Sequence, residues 1–77
     1  MFPNEQPVES GMLVSHDDGG LIYRVQDVRL STEGYERTHE IGRKVVNYVQ
    51  LQSGSYPPGT KWSKPEEEFR EHFTPVQ

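Results

Sequence analysis

Apolar side chains alternate with polar ones along two stretches of the chain, which is the pattern of β-strands that bury one face. The first stretch covers residues 21–30, where Leu21, Tyr23 and Val25 share one face and a bend is expected at residues 26–27. The second stretch covers residues 45–52 and is rich in β-branched and aromatic side chains. One of its faces carries Val45, Val49 and Leu51.

Turn residues mark where these strands end and where shorter strands begin. Residues 17–20 read Asp-Asp-Gly-Gly, a turn sequence because glycine adopts positive φ and aspartate bonds to its own backbone. Residues 12–14 form a short predicted strand before that turn. Another turn is predicted at residues 53–59, which contain Pro57 and Pro58, and a strand carrying Trp62 follows at residues 60–63.

A short helix is predicted to begin at Pro65, because proline is favoured at the first helical position, where its missing N–H would have no partner. The glutamates at positions 66–68 then lie near the positive end of the helix dipole. Phe69 and Phe73 are four residues apart, so they share a helical face and are expected to dock on the sheet. Pro75 is expected to end the helix.

These elements predict a mainly β fold, with four to five antiparallel strands and a short C-terminal helix. An SH3-like open barrel is favoured, and a plain curved sheet capped by the helix is the alternative. The predicted organisation is a flexible N-terminal arm over residues 1–10, a single small β domain over residues 11–73 and a C-terminal tail over residues 74–77. Phe2 and Val8 are the residues that could pin the arm to the domain.

The composition of the chain limits the interactions that can stabilise its fold. A chain of 77 residues buries only about 60% of the surface that its unfolded form exposes, and a hydrophobic content of 31% is lean for a globular domain. The chain has no cysteine, which excludes disulfides and thiolate metal sites. Aromatic residues are therefore expected to fill the core. Trp62 is predicted to be buried between the sheet and the helix, where Trp62→Ala would cost about 3–5 kcal/mol.

The formal net charge of −4 argues against proteins that bind nucleic acids through a basic surface. A local basic set remains in the middle of the chain and defines the alternative hypothesis, a single-stranded nucleic-acid-binding module: Arg24, Arg29, Arg37, Arg43 and Lys44. No segment is long and apolar enough to span a membrane, and the N-terminus lacks a signal-peptide pattern, so a cytoplasmic protein is expected.

A polar stretch over residues 31–44 separates the two strong strands and is longer than most loops in compact domains. Tyr35 and Ile41 are the residues that could fold it back onto the sheet. Its few apolar side chains offset little of the entropy of ordering it. Residues 33–43 of this stretch are therefore predicted to be the most mobile internal segment and to become ordered when a partner binds.

No catalytic or metal-binding pattern emerges from the sequence. The three histidines, His16, His39 and His72, lack metal-ligand spacing, and the turn at residues 17–20 lacks the alternating carboxylates of a calcium loop. Neither a nucleophile elbow nor a phosphate-binding loop is present. The sequence therefore predicts a protein without enzymatic activity, metal or cofactor.

Between residues 11 and 71 the chain contains a series of short motifs in the order in which a known family carries them. They comprise Gly11, His16, Gly19, Gly20, Tyr23, Arg24, Val25, Val45, Val46, Tyr48, Leu51, Gly59, Trp62, Pro65, Phe69 and Glu71. In this order the chain resembles the small bacterial and phage domain of unknown function number 1653, whose members read H-x-x-G-G-x-Y-R-V, V-V-Y-x-x-L and W-x-R-P-x-x-x-F. The chain departs from the family at residues 29–33, which lack a histidine, and its connection over residues 33–44 is longer. The family has no established activity, so the resemblance implies a fold.

Together these features predict a non-enzymatic binding module. The expected binding surface is a barrel rim, built from the turn at residues 16–20 and the stretch 31–44, that meets another protein or a small ligand. Tyrosine, tryptophan and arginine are enriched in binding hot spots. The candidate partner-binding residues are His16, Arg24, Arg29, Tyr35, Arg37, His39 and Trp62. A monomer or weak homodimer is expected, without a membrane role and with nucleic acid as the less favoured partner.

Overall fold

The computed structural model describes residues 1–30 and 43–76, and over them the chain is mainly β. The elements are β1 (Leu13–His16), β2 (Ile22–Leu30), β3 (Lys44–Gln50), β4 (Lys61–Pro65), α1 (Glu66–His72) and β5 (Phe73–Pro75). The strands form one open antiparallel sheet in the order β4-β3-β2-β1-β5. The predicted mainly β fold with a short C-terminal helix is confirmed, as an unclosed sheet.

The hairpin of β2 and β3 is the centre of the sheet, and its register fixes which side chains face the helix. Tyr23 lies opposite Gln50, and Val25 lies opposite Tyr48. The register shifts between Val25 and Asp27, which is the β-bulge that the predicted bend at residues 26–27 indicated. The carbonyl of the extra residue, Gln26, accepts a hydrogen bond of 2.7 Å from the Ser10 hydroxyl.

The core lies between α1 and one face of the sheet, which we call the helix face. On β3 its members are Val46 and Tyr48, so the face that carries Val45, Val49 and Leu51 is the opposite one. Leu51 is accordingly exposed, although Val45 is buried. The buried cluster comprises Phe2, Val8, Val14, Tyr23, Val25, Val46, Tyr48, Phe69 and Phe73. Five of these nine side chains are aromatic, as the lean aliphatic content required.

The N-terminal segment contributes to this core. Phe2 is 2% exposed and contacts the Phe69 ring with centroids 5.7 Å apart. The Arg70 guanidinium holds the segment by donating to the carbonyls of Pro3 at 2.6 Å and Gln6 at 2.7 Å. The predicted domain boundary at residue 11 therefore left part of the core outside the domain. A chain with few aliphatic residues recruits an aromatic side chain even from the sequence before its first strand.

The C-terminal end differs from its prediction in three details. Pro65 is the last residue of β4 and the N-cap of α1, not its first helical residue. The helix ends at His72, and the chain then extends into β5, which pairs with β1 and begins at Phe73. The predicted tail at 74–77 thus starts inside a strand. Phe69 and Phe73 nevertheless meet as expected, with stacked rings 4.3 Å apart.

Candidate ligand-binding cleft

A cleft of about 190 Å³ opens on the helix face of the sheet. Its lining residues come from all five strands and are His16, Tyr23, Tyr48, Trp62, Lys64 and Phe73. Strand pairing explains the convergence, because residues opposite each other in a ladder point to the same face. We call this site the aromatic cleft.

Two cross-strand pairs of lining residues build the aromatic cleft. His16 lies opposite Phe73, and Tyr48 lies opposite Trp62. Lys64 follows Trp62 by two positions, so alternation returns it to the same face of β4. Residues separated by more than fifty positions in the sequence thus become neighbours through the order of the strands.

The floor of the cleft consists of three aromatic rings in mutual contact. The Tyr23 and Tyr48 centroids are 5.4 Å apart, and the Phe73 ring lies 5.4 Å from Tyr23 and 5.1 Å from Tyr48. All three pairs are edge-to-face, an arrangement that contributes about 0.5–1.5 kcal/mol per pair beyond the burial of area. The floor is therefore a packed, preformed apolar surface.

The tyrosines of the floor are neutral phenols. Burial raises the pKa of Tyr48 above its ordinary value, and the neighbouring Tyr23 and Glu68 charges raise it further. Burial also raises the pKa of Tyr23. Tyr48 is only 2% exposed, and its hydroxyl has no hydrogen-bond partner within the described part of the chain. Buried hydroxyl groups are normally satisfied, so this side chain leaves an unmet hydrogen bond in the floor of the cleft.

Trp62 forms one wall of the cleft and is held by Gln50. The indole Nε1 donates to Gln50 Oε1 at 3.3 Å, and the ring lies edge-to-face against Tyr56 with centroids 5.0 Å apart. Trp62 is partly buried and packs against the core cluster, so its ring is less enclosed than the largely buried ring that the sequence predicted. Its strand, β4, lies at the edge of the sheet and has a neighbouring strand on one side.

Gln50 is the buried polar residue that connects this wall to the neighbouring turn. It is 1% exposed, and its Nε2 donates to the backbone carbonyls of Gln52 at 2.8 Å and Tyr56 at 2.6 Å. Both amide atoms therefore have partners, which makes the burial of the side chain tolerable. Through these bonds Gln50 fixes the turn at residues 53–59 and the orientation of the Trp62 indole together.

His16 forms the opposite wall, at the end of β1. Its Nδ1 lies 3.0 Å from the amide nitrogen of Asp18 and 2.9 Å from the Asp18 carbonyl, so this nitrogen is engaged by the turn in either protonation state. Gly19 and Gly20 adopt φ values of 100° and 77°, which permits the turn to close on His16. The ring packs edge-to-face on Phe73 at 4.8 Å. Nε2 is left as the ring nitrogen available to the cleft.

Lys64 supplies the cationic group of the cleft. It is partly buried and has no hydrogen bond or ion pair with the described residues. No aspartate or glutamate is among the lining residues that the structure describes. A chain with a net charge of −4 thus presents a cleft whose charged group is an ammonium.

The candidate residues from the sequence do not all meet. His16 and Trp62 lie on opposite walls of the aromatic cleft. Arg24 is exposed on the other face of the sheet, beside Leu13 and Val49. Arg29 is exposed near the far end of β2, where its Nε lies 3.3 Å from Asp27. The remaining candidates, Tyr35, Arg37 and His39, lie outside the described residues, as does the predicted mobile segment 33–43 except for residue 43.

The basic set of the alternative hypothesis is also divided. Arg43 forms an ion pair with Glu67, and Lys44 is exposed opposite Leu30. Arg24 lies six positions along β2 from Leu30, a separation of about 20 Å at ~3.3 Å per residue. The cleft aromatics face the other side of the sheet from Arg24, whereas single-strand binding combines stacking rings and cations in one groove. Among the described residues, no such groove forms.

Sequence reasoning missed Lys64 and Gln50. The signal for Lys64 was present, because a residue two positions after Trp62 in a strand shares its face. Gln50 likewise follows Tyr48 by two positions, but a polar residue there indicates solvent exposure unless its partners are known. Those partners lie in a turn whose path the sequence does not define.

A second cleft of about 200 Å³ lies beside the N-terminal segment, lined by Met1, Phe2, Asn4, Glu67, Arg70 and Glu71. Its cation, Arg70, already bonds two backbone carbonyls and lies over the Phe2 ring at 5.4 Å. Its groups therefore serve to dock the N-terminal segment, and we regard the aromatic cleft as the candidate site.

Over residues 1–30 and 43–76, no three histidine, aspartate or glutamate side chains converge in a way that could hold a metal ion. None of the described helical residues form a segment long and apolar enough to cross a membrane.

Comparison with known proteins identifies no relative of this chain. No protein-family model matches the sequence, and neither a curated protein nor a solved structure matches the chain at a significant level.

Proposed function

We propose that this domain is a non-enzymatic binding module that holds a small ligand, or one side chain of a partner protein, in the aromatic cleft. The observation that carries the proposal is the lining itself: a preformed aromatic floor flanked by the unpaired ammonium of Lys64 and the buried, unbonded hydroxyl of Tyr48. Binding sites typically combine apolar walls with a few polar groups that fix orientation.

The chemistry of the lining favours binding over catalysis. A general base works best when its pKa lies near the operating pH. Burial moves the pKa of Tyr48 and of Tyr23 away from neutrality, so both phenols act as hydrogen-bond donors at pH 7. The indole N–H of Trp62 is already committed to Gln50. These groups can orient a ligand, and they are poorly suited to removing a proton from it.

The size of the cleft limits what it admits. A cavity of about 150 Å³ accommodates one benzene molecule. At about 190 Å³, the aromatic cleft suits a single ring or one large side chain. An open sheet of five strands with one helix is consistent with an SH3-like fold, and with the proposed kinship to the domain of unknown function, but folds of this kind host many functions. The proposal therefore depends on the cleft.

Ligand screening by ¹H–¹⁵N NMR tests the proposal. Trp62 is the sole tryptophan, so its indole signal and its fluorescence both report on the cleft. Single-ring compounds are expected to shift the Trp62 indole and the backbone signals of His16 and Lys64.

The matched controls are two lysine variants on the same strand. Lys64→Gln alters the cleft, whereas Lys61→Gln alters an exposed position on the other face of β4. A screen in which every bound compound perturbs sites away from the cleft, or in which both variants respond alike, would contradict the proposal.

A further inference from the structure

We infer that the ligand of the aromatic cleft is a small organic anion built on one planar ring, such as an aromatic carboxylate or an aryl phosphate. The inference rests on the proposed binding function and specifies the chemistry of what is bound. It is drawn from three properties of the cleft: the donor character of its polar atoms, its charge and its shape.

Lys64 and the two tyrosines give the cleft three hydrogen-bond donors, besides the His16 imidazole, whose Nε2 donates or accepts according to the tautomer. The Lys64 ammonium can only donate, and the neutral phenols of Tyr23 and Tyr48 each have an O–H to donate. The acceptor of Gln50 is occupied by the Trp62 indole. A cleft of donors is complementary to a ligand group with several acceptor oxygens and no hydrogens, which describes a carboxylate or a phosphate.

The charge of the cleft differs from that of the chain around it. With a net charge of −4, the protein repels anions at long range. Within the cleft the sign of the charge is reversed over residues 1–30 and 43–76, where Lys64 has no ion-pair partner and no carboxylate lines the site. One opposing charge acts from outside the cleft: Glu68, in the first turn of α1, raises the pKa of Tyr48 without being among the described lining residues.

The shape of the cleft selects a flat ligand. Tyr23, Tyr48 and Phe73 present rings edge-to-face, so a further ring can pack against them in the same manner. Trp62 and His16 stand on opposite sides. The volume of about 190 Å³ leaves space for one ring and its anionic group, beside Lys64.

Paired ligands that differ in charge alone test the inference. Benzoate and benzamide have the same ring and nearly the same size, and phenyl phosphate distinguishes a phosphate from a carboxylate preference. Each is titrated into the full chain at fixed ionic strength, with the Trp62 indole and the His16 and Lys64 amides followed by NMR. Benzoate is expected to bind about tenfold more tightly than benzamide, because hydrogen bonds to charged groups are the stronger class.

Two variants assign that preference to the cleft. Lys64→Gln should remove the tenfold difference by weakening benzoate alone, and Lys61→Gln should preserve it. Glu68→Gln, at an exposed position, should tighten benzoate about twofold to threefold by removing the opposing charge while leaving benzamide unchanged. Unchanged melting temperatures verify that the variants are folded.

The outcomes separate this inference from the proposed function. Binding of benzamide in the cleft with the affinity of benzoate would overturn the anion preference and leave the binding function intact. A benzoate preference that survives in Lys64→Gln would place the anion elsewhere and overturn the inference. If none of the three ligands perturbs the cleft, the inference of an anionic ligand is overturned. The proposed binding function is contradicted only if the wider screen of single-ring compounds also finds no ligand for the cleft.

Discussion

Replacement of Gln50 by leucine is the sharpest test of how the cleft is held together. The amide of Gln50 makes three hydrogen bonds, donating to the carbonyls of Gln52 and Tyr56 and accepting from the Trp62 indole. Leucine has a similar size and none of these groups. Gln50→Leu therefore removes the tie between the 53–59 turn and the wall of the cleft while preserving the volume of the buried side chain.

The expected cost follows from those contacts. Three hydrogen bonds at about 1 kcal/mol each give a loss of about 3 kcal/mol, and the burial of a leucine at this 1% exposed position returns about 1 kcal/mol. The net loss is about 2 kcal/mol in the free energy of unfolding. Domains of this size have a total stability of about 4–12 kcal/mol, and each kcal/mol shifts Tm by about 4–8 °C. Gln50→Leu should therefore lower Tm by about 8–16 °C.

Thermal and urea unfolding measure this change, and Gln26→Leu is the matched control. Gln26 is exposed on β2, and its side chain has no hydrogen bond to the described residues, so its replacement should alter the free energy of unfolding by less than about 0.5 kcal/mol. In Gln50→Leu the fluorescence of Trp62 should also move to longer wavelength, because an indole released from Gln50 becomes more exposed to water. A Tm within 2 °C of the parent would refute the role assigned to Gln50.

Three further changes probe the core and its attachments. Burial raises the pKa of Tyr48, so the stability that its neutral phenol contributes is complete below the unfolded-state pKa of about 10 and is lost as the pH rises above that value. Tyr48→Phe should therefore flatten the fall in unfolding free energy measured between about pH 9 and 11. Trp62→Ala should cost about 2 kcal/mol in urea unfolding, less than the 3–5 kcal/mol of an enclosed ring, since Trp62 is only partly buried. Arg70→Ala should release the N-terminal segment and speed hydrogen exchange at the Phe2 amide. The control variant Arg24→Ala should leave that exchange rate unchanged. Equal exchange rates in the two variants would contradict the docking role of Arg70.

The sequence predicted those features that depend on neighbours along the chain. Alternation placed Tyr23 and Val25 on the buried face of β2 and indicated the bulge after Val25, because strand periodicity is a local property. The turn at residues 17–20 followed from glycines that tolerate positive φ, and Gly19 and Gly20 adopt it.

Features that depend on contacts between distant residues could not be predicted in this way. Phe2 enters the core because Phe69 and Arg70, far along the chain, provide its partners. Pro65 suits both the end of an edge strand and the start of a helix, so the sequence did not distinguish an N-cap from a first helical residue. Trp62 was expected in the core because composition demanded aromatics inside, but its position on an edge strand exposes part of the ring.

The most direct test of the central claim is a map of intermolecular NOEs between the protein and bound benzoate. The account predicts contacts from the ligand ring to the ring protons of Tyr23, Tyr48 and Phe73, with the Trp62 indole also in contact. Contacts confined to the opposite face of the sheet, for example to Leu13 or Val49, would contradict it.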